Sequence, residues 1–334
     1  MNTILITGGN GEVGHALIRK LSEKSQNKIV VLDINDLDKK LLDYVSKFVK
    51  GSILDEKLIK NLFKKYNFDL VFHLAAILST ASEKNPTLAH RINVEGSINI
   101  LKNAEYFARQ SKHNLTLIFP SSIAVYGMPN LQTKFKAKKV KEWEYNLPRT
   151  LYGCNKLYIE ILGNYYAKNY KNSKEEKQYF DFRSLRFPGI ISAETMPTGG
   201  TSDYGPEILH AAAQKKDYVC FVKSNSTIPF MVMPDAIKAL VTISVADKSS
   251  LKKTVYNVSS FSISAEEITQ YAKKLIHPIK VTYKPDIKRQ EIIDSWPISV
   301  DDSAAQEEWG WKPDFNKEDS FKKYLAPKII AKYS

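Results

Sequence analysis

Short apolar runs rich in β-branched residues alternate, through the first half of the chain, with stretches whose apolar positions recur every three or four residues. Ile4-Leu5-Ile6 is followed by Val13, Leu17, Ile18 and Leu21 on one face of a helix expected over residues 13–24. Ile29-Val30-Val31-Leu32 reads as the second buried strand, and residues 70–74 and 115–119 follow, each separated from its neighbour by a helical pattern. A further strand over 182–187 ends at Pro188-Gly189. Strands that are apolar almost throughout, alternating with helices, predict an α/β fold with a doubly wound parallel sheet covered on both faces.

Beyond Gly189 this alternation lapses. Residues 197–205 are rich in Gly, Thr and Ser and read as a loop, and the charged stretch 169–178 reads as an exposed connection. The expected division is a larger domain over 1–187, to which segments near 228–258 return (230–245 among them). A smaller C-terminal lobe is built from 188–227 and 259–330. Asp301 and Asp302 are read as caps of a helix before Trp309, which Gly310 ends.

Composition narrows the class. At 43% hydrophobic and 25% charged residues, the 334-residue chain has the make-up of an ordinary globular protein. Two cysteines, Cys154 and Cys220, make no disulfide framework. No apolar run is long enough to span a bilayer, and no secretion signal precedes the first strand, so an intracellular soluble protein is expected. Cytoplasm is the expected place, or the mitochondrial matrix if the source is eukaryotic. The net charge of +13 is read as a lysine-rich surface rather than a nucleic-acid site, because only residues 134–141 (KFKAKKVK) form a dense basic run. The six histidines show no ligand spacing, so no metal is expected.

Chemistry enters with TGGNGEVG, residues 7–14. The loop leaves the first strand and opens the first helix, whose N–H groups and dipole favour a pyrophosphate. Its glycines fit two registers, Gly9/Gly11/Gly14 and Gly8/Gly11/Gly14. Asp33 ends the second strand about 20 residues on, where a carboxylate can accept hydrogen bonds from an adenosine ribose and repel a 2′-phosphate. The pattern is a Rossmann-type site for NAD rather than NADP. Downstream, Tyr152 and Lys156 stand one helical turn apart, so an ammonium sits near a phenol and favours its ionised form. Ser121 and Ser122 follow the fourth apolar strand, at the carboxyl edge of the sheet. One can hold a substrate oxygen while the other caps the next turn.

In order, Gly8-x-x-Gly11-x-x-Gly14, Asp33, His73-Leu-Ala-Ala76, Asn93-Val-Glu-Gly96, Ser122, Tyr152-x-x-x-Lys156 and Arg186-Phe-Pro-Gly189 resemble the extended branch of the short-chain dehydrogenase/reductase superfamily. The resemblance selects the Gly8/Gly11/Gly14 register and leaves Gly9 as a permissive extra. It implies Ser122 as the catalytic hydroxyl, Tyr152 as the base, and Lys156 as the group that tunes it and binds the nicotinamide ribose. Glu12, Val13, Ile53, Leu74, Ala75, Ala76 and Asn93 complete the implied cofactor set. Ser52 stands where the family commonly has an aspartate near the adenine.

Further on, Pro188-Gly-Ile-Ile-Ser192, Gly199-Gly-Thr-Ser-Asp-Tyr204, Ser295-Trp-Pro297 and Asp301-Asp-Ser303 together are similar to the NAD-dependent L-threonine 3-dehydrogenases of the short-chain type. Thr198 replaces the first glycine of that family's Pro-Gly-Gly-Gly loop. The resemblance implies oxidation of L-threonine at C3 to 2-amino-3-oxobutanoate, with nucleotide-sugar 4-epimerase as the alternative. It also implies a homodimer; the spread of the lysines and the lack of a spanning apolar run lead to no expected nucleic-acid or membrane partner. Gly200, Thr201, Ser202 and Ser79 are the expected substrate donors, alongside Ser122 and Tyr152. Trp296 reads equally as a lid over the substrate and as core packing.

Overall fold

Seven parallel strands form one sheet in the order Val255–Asn257, Phe180–Phe187, Leu115–Ser122, Leu70–His73, Thr3–Thr7, Lys28–Asp33, Lys47–Lys50. The computed structural model describes residues 2–170, 177–197 and 199–334; of the polar connection at 169–178, residues 171–176 lie outside the described residues, as does Thr198. The chain winds outward from Thr3–Thr7 through two strands, then crosses back to Leu70–His73 and winds the other way. The crevice between Thr3–Thr7 and Leu70–His73 is the topological switch point, where ligands of open α/β sheets bind.

Alternation within each strand splits the core in two. Leu5, Val30, Val71, Leu117 and Phe182 pack with Ile59, Phe63, Ile100 and Leu101 of the helices Glu56–Lys65 and Ser97–Ser111. Ile4, Ile6, Val31, Phe72, Ile118 and Leu185 face the other way, against Leu17 and Ile18 of the helix Glu12–Ser22. Ala236, Leu240 and Ile243 of the helix Met233–Val245 cover the same face. Residues 230–245, expected among the returning segments, therefore add no strand to this sheet; 230–232 end a strand of a second sheet and 233–245 supply a covering helix. Val255–Asn257 does pair with it, at Ser184, Leu185 and Arg186. The edge strand Lys47–Lys50 has only two apolar residues, Phe48 and Val49, and gives no pattern to read.

A third core, around Ile191, Tyr204, Ile208, Phe230, Ile263, Ile268, Phe321 and Leu325, sits beneath a three-stranded sheet of Gly189–Ile191, Thr227–Val232 and Phe261–Ser264. Asp301 accepts the Ser303 N–H, and Asp302 instead binds the Gln306 amide and the Trp311 indole. Gly310 ends the helix Ser303–Trp309 at φ +70°. The basic run 134–141 is not solvated throughout: Lys134 is 3% exposed, and its Nζ donates to the Ile293 carbonyl at 2.8 Å. Burial brings its ammonium down to about 8.

A buried polar chain crosses the sheet edge at the switch point. Ala75 N–H donates to Thr7 Oγ1 at 3.3 Å, and Thr7 Oγ1 lies 2.7 Å from His73 Nδ1. His73 Nε2 lies 2.9 Å from Ser97 Oγ, which donates to the Asn93 carbonyl at 2.7 Å. Because the Ser97 proton goes to Asn93, Nε2 carries the imidazole proton and Nδ1 accepts from Thr7. A second proton on His73 would set two donors against each other, and burial holds its pKa down to about 3.

The folded value lies below that of an exposed histidine, so unfolding takes up a proton at acid pH. Stability from this group is complete above pH 6.5 and falls as the pH drops toward 3, by up to about 1.4 kcal/mol per pH unit. In urea unfolding at pH 7, 6 and 5, His73→Asn should show a shallower loss of stability than wild type. Parallel pH dependences would refute the assignment.

Candidate active site

A cleft of about 570 Å³ opens at the carboxyl ends of the central strands. At one end lies the glycine loop. Gly8 has φ +74°, and a Cβ there would lie 2.7 Å from the backbone of Ala75. A Cβ on Gly14 would lie 2.5 Å from the Gly9 carbonyl oxygen, where the helix turns back over the loop. Gly11 differs: its Cβ would meet only the Gly8 oxygen, at 3.4 Å, so the space it leaves faces the cleft. That is the room a pyrophosphate needs beside backbone N–H groups. Gly9 is no permissive extra, since a Cβ there would lie 2.4 Å from Val31 Cγ1.

Asp33 lines the same end. Its Oδ2 accepts the Asn10 N–H and its Oδ1 the Asn35 N–H, both at 3.0 Å. Asn10 also donates to the carbonyls of Asp36 and Asn35 and accepts the Asp38 N–H, so it ties the glycine loop to the end of the second strand. Sequence reading passed over Asn10, because an asparagine among glycines looks like an ordinary turn residue.

Glu12, Val13, Ser52, Ile53, Leu74, Ala75 and Ala76 all line the cleft. Burial raises the Glu12 carboxyl above its usual range. Ser52 Oγ accepts the Leu54 N–H, leaving its hydroxyl proton for a ligand. Asn93 does not line the cleft. It is 3% exposed, and its amide binds both the N–H and the carbonyl of Ile77, at 2.8 and 2.9 Å. Its placement is that of a brace for the 74–77 segment, one layer behind the cofactor wall.

At the centre of the cleft, the helix Leu151–Lys168 begins with Thr150 accepting the Gly153 N–H. A Cβ on Gly153 would lie 2.0 Å from the Ala124 carbonyl oxygen, so the helix packs backbone to backbone against the turn after Ser122. Tyr152 and Lys156 are thereby brought to the strand end that carries Ser121 and Ser122. Lys156 is buried; its Nζ donates to the Pro120 carbonyl at 2.7 Å and lies 5.5 Å from the Tyr152 ring centroid. Burial brings the ammonium down to about 7, opposed by the Glu160 charge.

The phenol does not follow the sequence expectation. Burial raises the Tyr152 pKa, because the ring is desolvated while the nearby ammonium is directed to Pro120. Ser122 Oγ accepts the Ala124 N–H at 3.1 Å and caps the turn, which leaves its own proton free. Ser121 Oγ is buried, has no hydrogen-bond partner among the described residues, and also lines the cleft. Both hydroxyls are thus available, one with a capping duty and one without.

Ser79, Gly200, Thr201, Ser202 and Trp296 line the far end. Thr201 Oγ1 donates to Ser79 Oγ at 3.1 Å, and both residues are nearly sealed from solvent. The expectation of a free Gly200 N–H is corrected, since that group donates to Asp203 Oδ2 at 2.6 Å. Trp296 is 5% exposed and packs in the third core, as the core reading expects, and it also forms part of the cleft wall. Among the described residues no group of three or more His, Cys, Asp or Glu is placed to hold a metal.

Comparison with known proteins agrees with this geometry. The model of the NAD dependent epimerase/dehydratase family matches residues 4–259. The mitochondrial L-threonine 3-dehydrogenase of Bos taurus is 34% identical over 314 residues, covering 94% of this chain and 79% of that protein. Among solved structures, a monomeric L-threonine 3-dehydrogenase from a metagenome has 36% identity and a TM-score of 0.84, covering 99% of this chain and 98% of the other. The L-threonine dehydrogenase of Clostridium difficile has 31% identity and a TM-score of 0.87, covering 100% and 99%. The steric room at Gly11, the Asp33 carboxylate and the buried Lys156 suit the dinucleotide that the family description names. The chain belongs to the NAD dependent epimerase/dehydratase family, and its cofactor is NAD.

Proposed function

We propose that this protein oxidises the C3 hydroxyl of L-threonine, giving 2-amino-3-oxobutanoate and NADH. The observation that carries the reading is that one cleft joins a dinucleotide end (Gly8, Gly11, Gly14, Asp33) to a small sealed polar end (Ser79, Thr201, Ser202), with Tyr152, Lys156, Ser121 and Ser122 between them. Short hydroxyls at the far end suit a small zwitterion. The relatives named as threonine dehydrogenases support the same choice.

NAD would supply the hydride acceptor and the positive charge of its nicotinamide ring. Tyr152 acts in its phenolate form, which burial disfavours and nearby positive charge favours, and takes the proton from the C3 hydroxyl, while Ser122 orients that oxygen with the proton it does not use in capping. Lys156 holds positive charge near the ring, and its bond to Pro120 fixes the ammonium at that place. Trp296 keeps water from the far end. Asp33 binds the adenosine ribose hydroxyls and disfavours a 2′-phosphate. A homodimer belongs to the reading: the helices Ser97–Ser111 and Leu151–Lys168 leave Tyr106, Tyr158, Ile161 and Tyr165 exposed, an apolar set suited to a second copy.

Four outcomes test these assignments. L-threonine with NAD should give stoichiometric NADH absorbance, whereas a panel of UDP-sugars should give none; epimerised sugar without net NADH would establish the epimerase alternative instead. Tyr152→Phe should lower kcat by about 100-fold or more while the NADH Kd from fluorescence titration stays within about twofold. Asp33→Asn should weaken discrimination between NAD and NADP by at least about tenfold, and unchanged discrimination would remove Asp33 from the ribose site. Sedimentation equilibrium should return twice the 38.0 kDa chain mass; a monomer would retire the homodimer.

A further inference from the structure

The turn that closes the substrate end is held from both sides by charged groups. Gly199 and Gly200 point their N–H groups at one carboxylate oxygen, Asp203 Oδ2, at 2.9 and 2.6 Å. Their carbonyls point the opposite way and accept from one guanidinium nitrogen of Arg289, at 3.0 and 3.2 Å. Arg289 lies over Phe221, its Cζ 3.7 Å from the ring centroid, and its helix Ile287–Ser295 ends directly before Trp296. Lys134 caps that helix at the Ile293 carbonyl. One helix therefore grips the turn at its start and presents the cleft wall at its end.

The turn holds itself only weakly, through the Asp203 N–H donating to the Gly200 carbonyl at 3.3 Å. Gly199 has φ +91°, a Cβ there would meet nothing within 4 Å among the described residues, and residues 199–201 belong to no strand or helix. Four backbone groups at two adjacent glycines are bound by two side chains of opposite charge, with the Asp203 N–H as a further, longer donor to the Gly200 carbonyl. Charge-assisted bonds are roughly twice as strong as neutral ones, which favours a single conformation of an otherwise permissive stretch. Stacking on Phe221 adds a cation–π contact and fixes the plane of the guanidinium. The consequence reaches the next residue, because Thr201 is then set where its hydroxyl meets Ser79 across the cleft.

The geometry points to Arg289 and Asp203 as a two-sided latch, which orders the 199–201 turn and thereby sets affinity at the substrate end of the cleft. Neither side chain is assigned a chemical step. Both act through the turn and are positioning residues for Thr201 and Ser79. The kinetic part of this inference rests on the threonine reading; the ordering of the turn does not.

Hydrogen exchange on the NAD-saturated enzyme tests the ordering. Arg289→Ala should speed exchange at the Gly199 and Gly200 amides by at least about tenfold, and Arg289→Lys should fall between wild type and Ala because an ammonium cannot reproduce the stacked fork. With L-threonine, Arg289→Ala should raise KM by about tenfold, change kcat by less than about threefold, and leave the NADH Kd unaltered. Asp203→Ala should have the same kinetic profile, and the double variant should be little worse than either single one, because both act on one turn. Unchanged exchange in Arg289→Ala, or fully additive effects on KM, would overturn the latch. Faster exchange in the variants of an enzyme that proves inactive on threonine would keep the latch and discard the substrate.

Discussion

Everything in the active site depends on how closely one helix can approach one turn. Gly153 brings the backbone of the helix Leu151–Lys168 against the Ala124 carbonyl, at a separation no side chain could fit. Tyr152 precedes this contact and Lys156 follows it by less than a turn, so a single packing constraint places the phenol and the ammonium beside the strand end with Ser121 and Ser122. Gly127 repeats the device where the chain leaves the turn, with its missing Cβ only 1.7 Å from the Leu147 carbonyl oxygen. Backbone contacts of this kind do not tolerate side-chain adjustment. They fix position more firmly than a layer of leucines would.

Charge then holds what packing has placed. The helix is tied to the sheet by Arg186 and Glu160, both almost fully buried and joined at 2.6 to 3.2 Å. Arg186 also donates to the Glu142 carbonyl, so the guanidinium has a partner beyond Glu160. Removing one member would leave a buried charge without its counterion, which is far costlier than losing an exposed pair. The neutral chain from Ala75 through Thr7, His73 and Ser97 to Asn93 does the same on the cofactor side without net charge. Asn93 then grips both backbone groups of Ile77. The walls of the cleft are thus braced by polar groups that never reach it.

Much of the fold was legible because buried parallel strands are apolar nearly end to end. The runs at Ile4, Ile29, Leu70, Leu115 and Phe182 all fall within strands of the central sheet. Lys47–Lys50 was not legible, because an edge strand buries too little to impose a pattern. Residues 230–245 misled because an apolar stretch covering a sheet has the same composition as a strand inside it. Asn93 was misplaced for a related reason: a motif marks residues that occur near a ligand, and it does not separate those that touch from those that brace.

By itself the sequence determined the strand–helix alternation, the glycine loop with its acid, and the one-turn spacing of Tyr152 and Lys156. Each is local, because periodicity and short spacing are properties of neighbouring residues. Only the tertiary structure decided which groups are already engaged: that the Gly200 N–H belongs to Asp203, that Lys156 is directed to Pro120, and that Lys134 leaves its basic run to cap a distant helix. It also decided that Tyr152 begins with a raised pKa, since desolvation depends on everything packed around a group and not on what stands four residues away. Hydrogen bonds between residues far apart in the chain leave no periodic trace, so burial and partnership become visible only once the chain has folded.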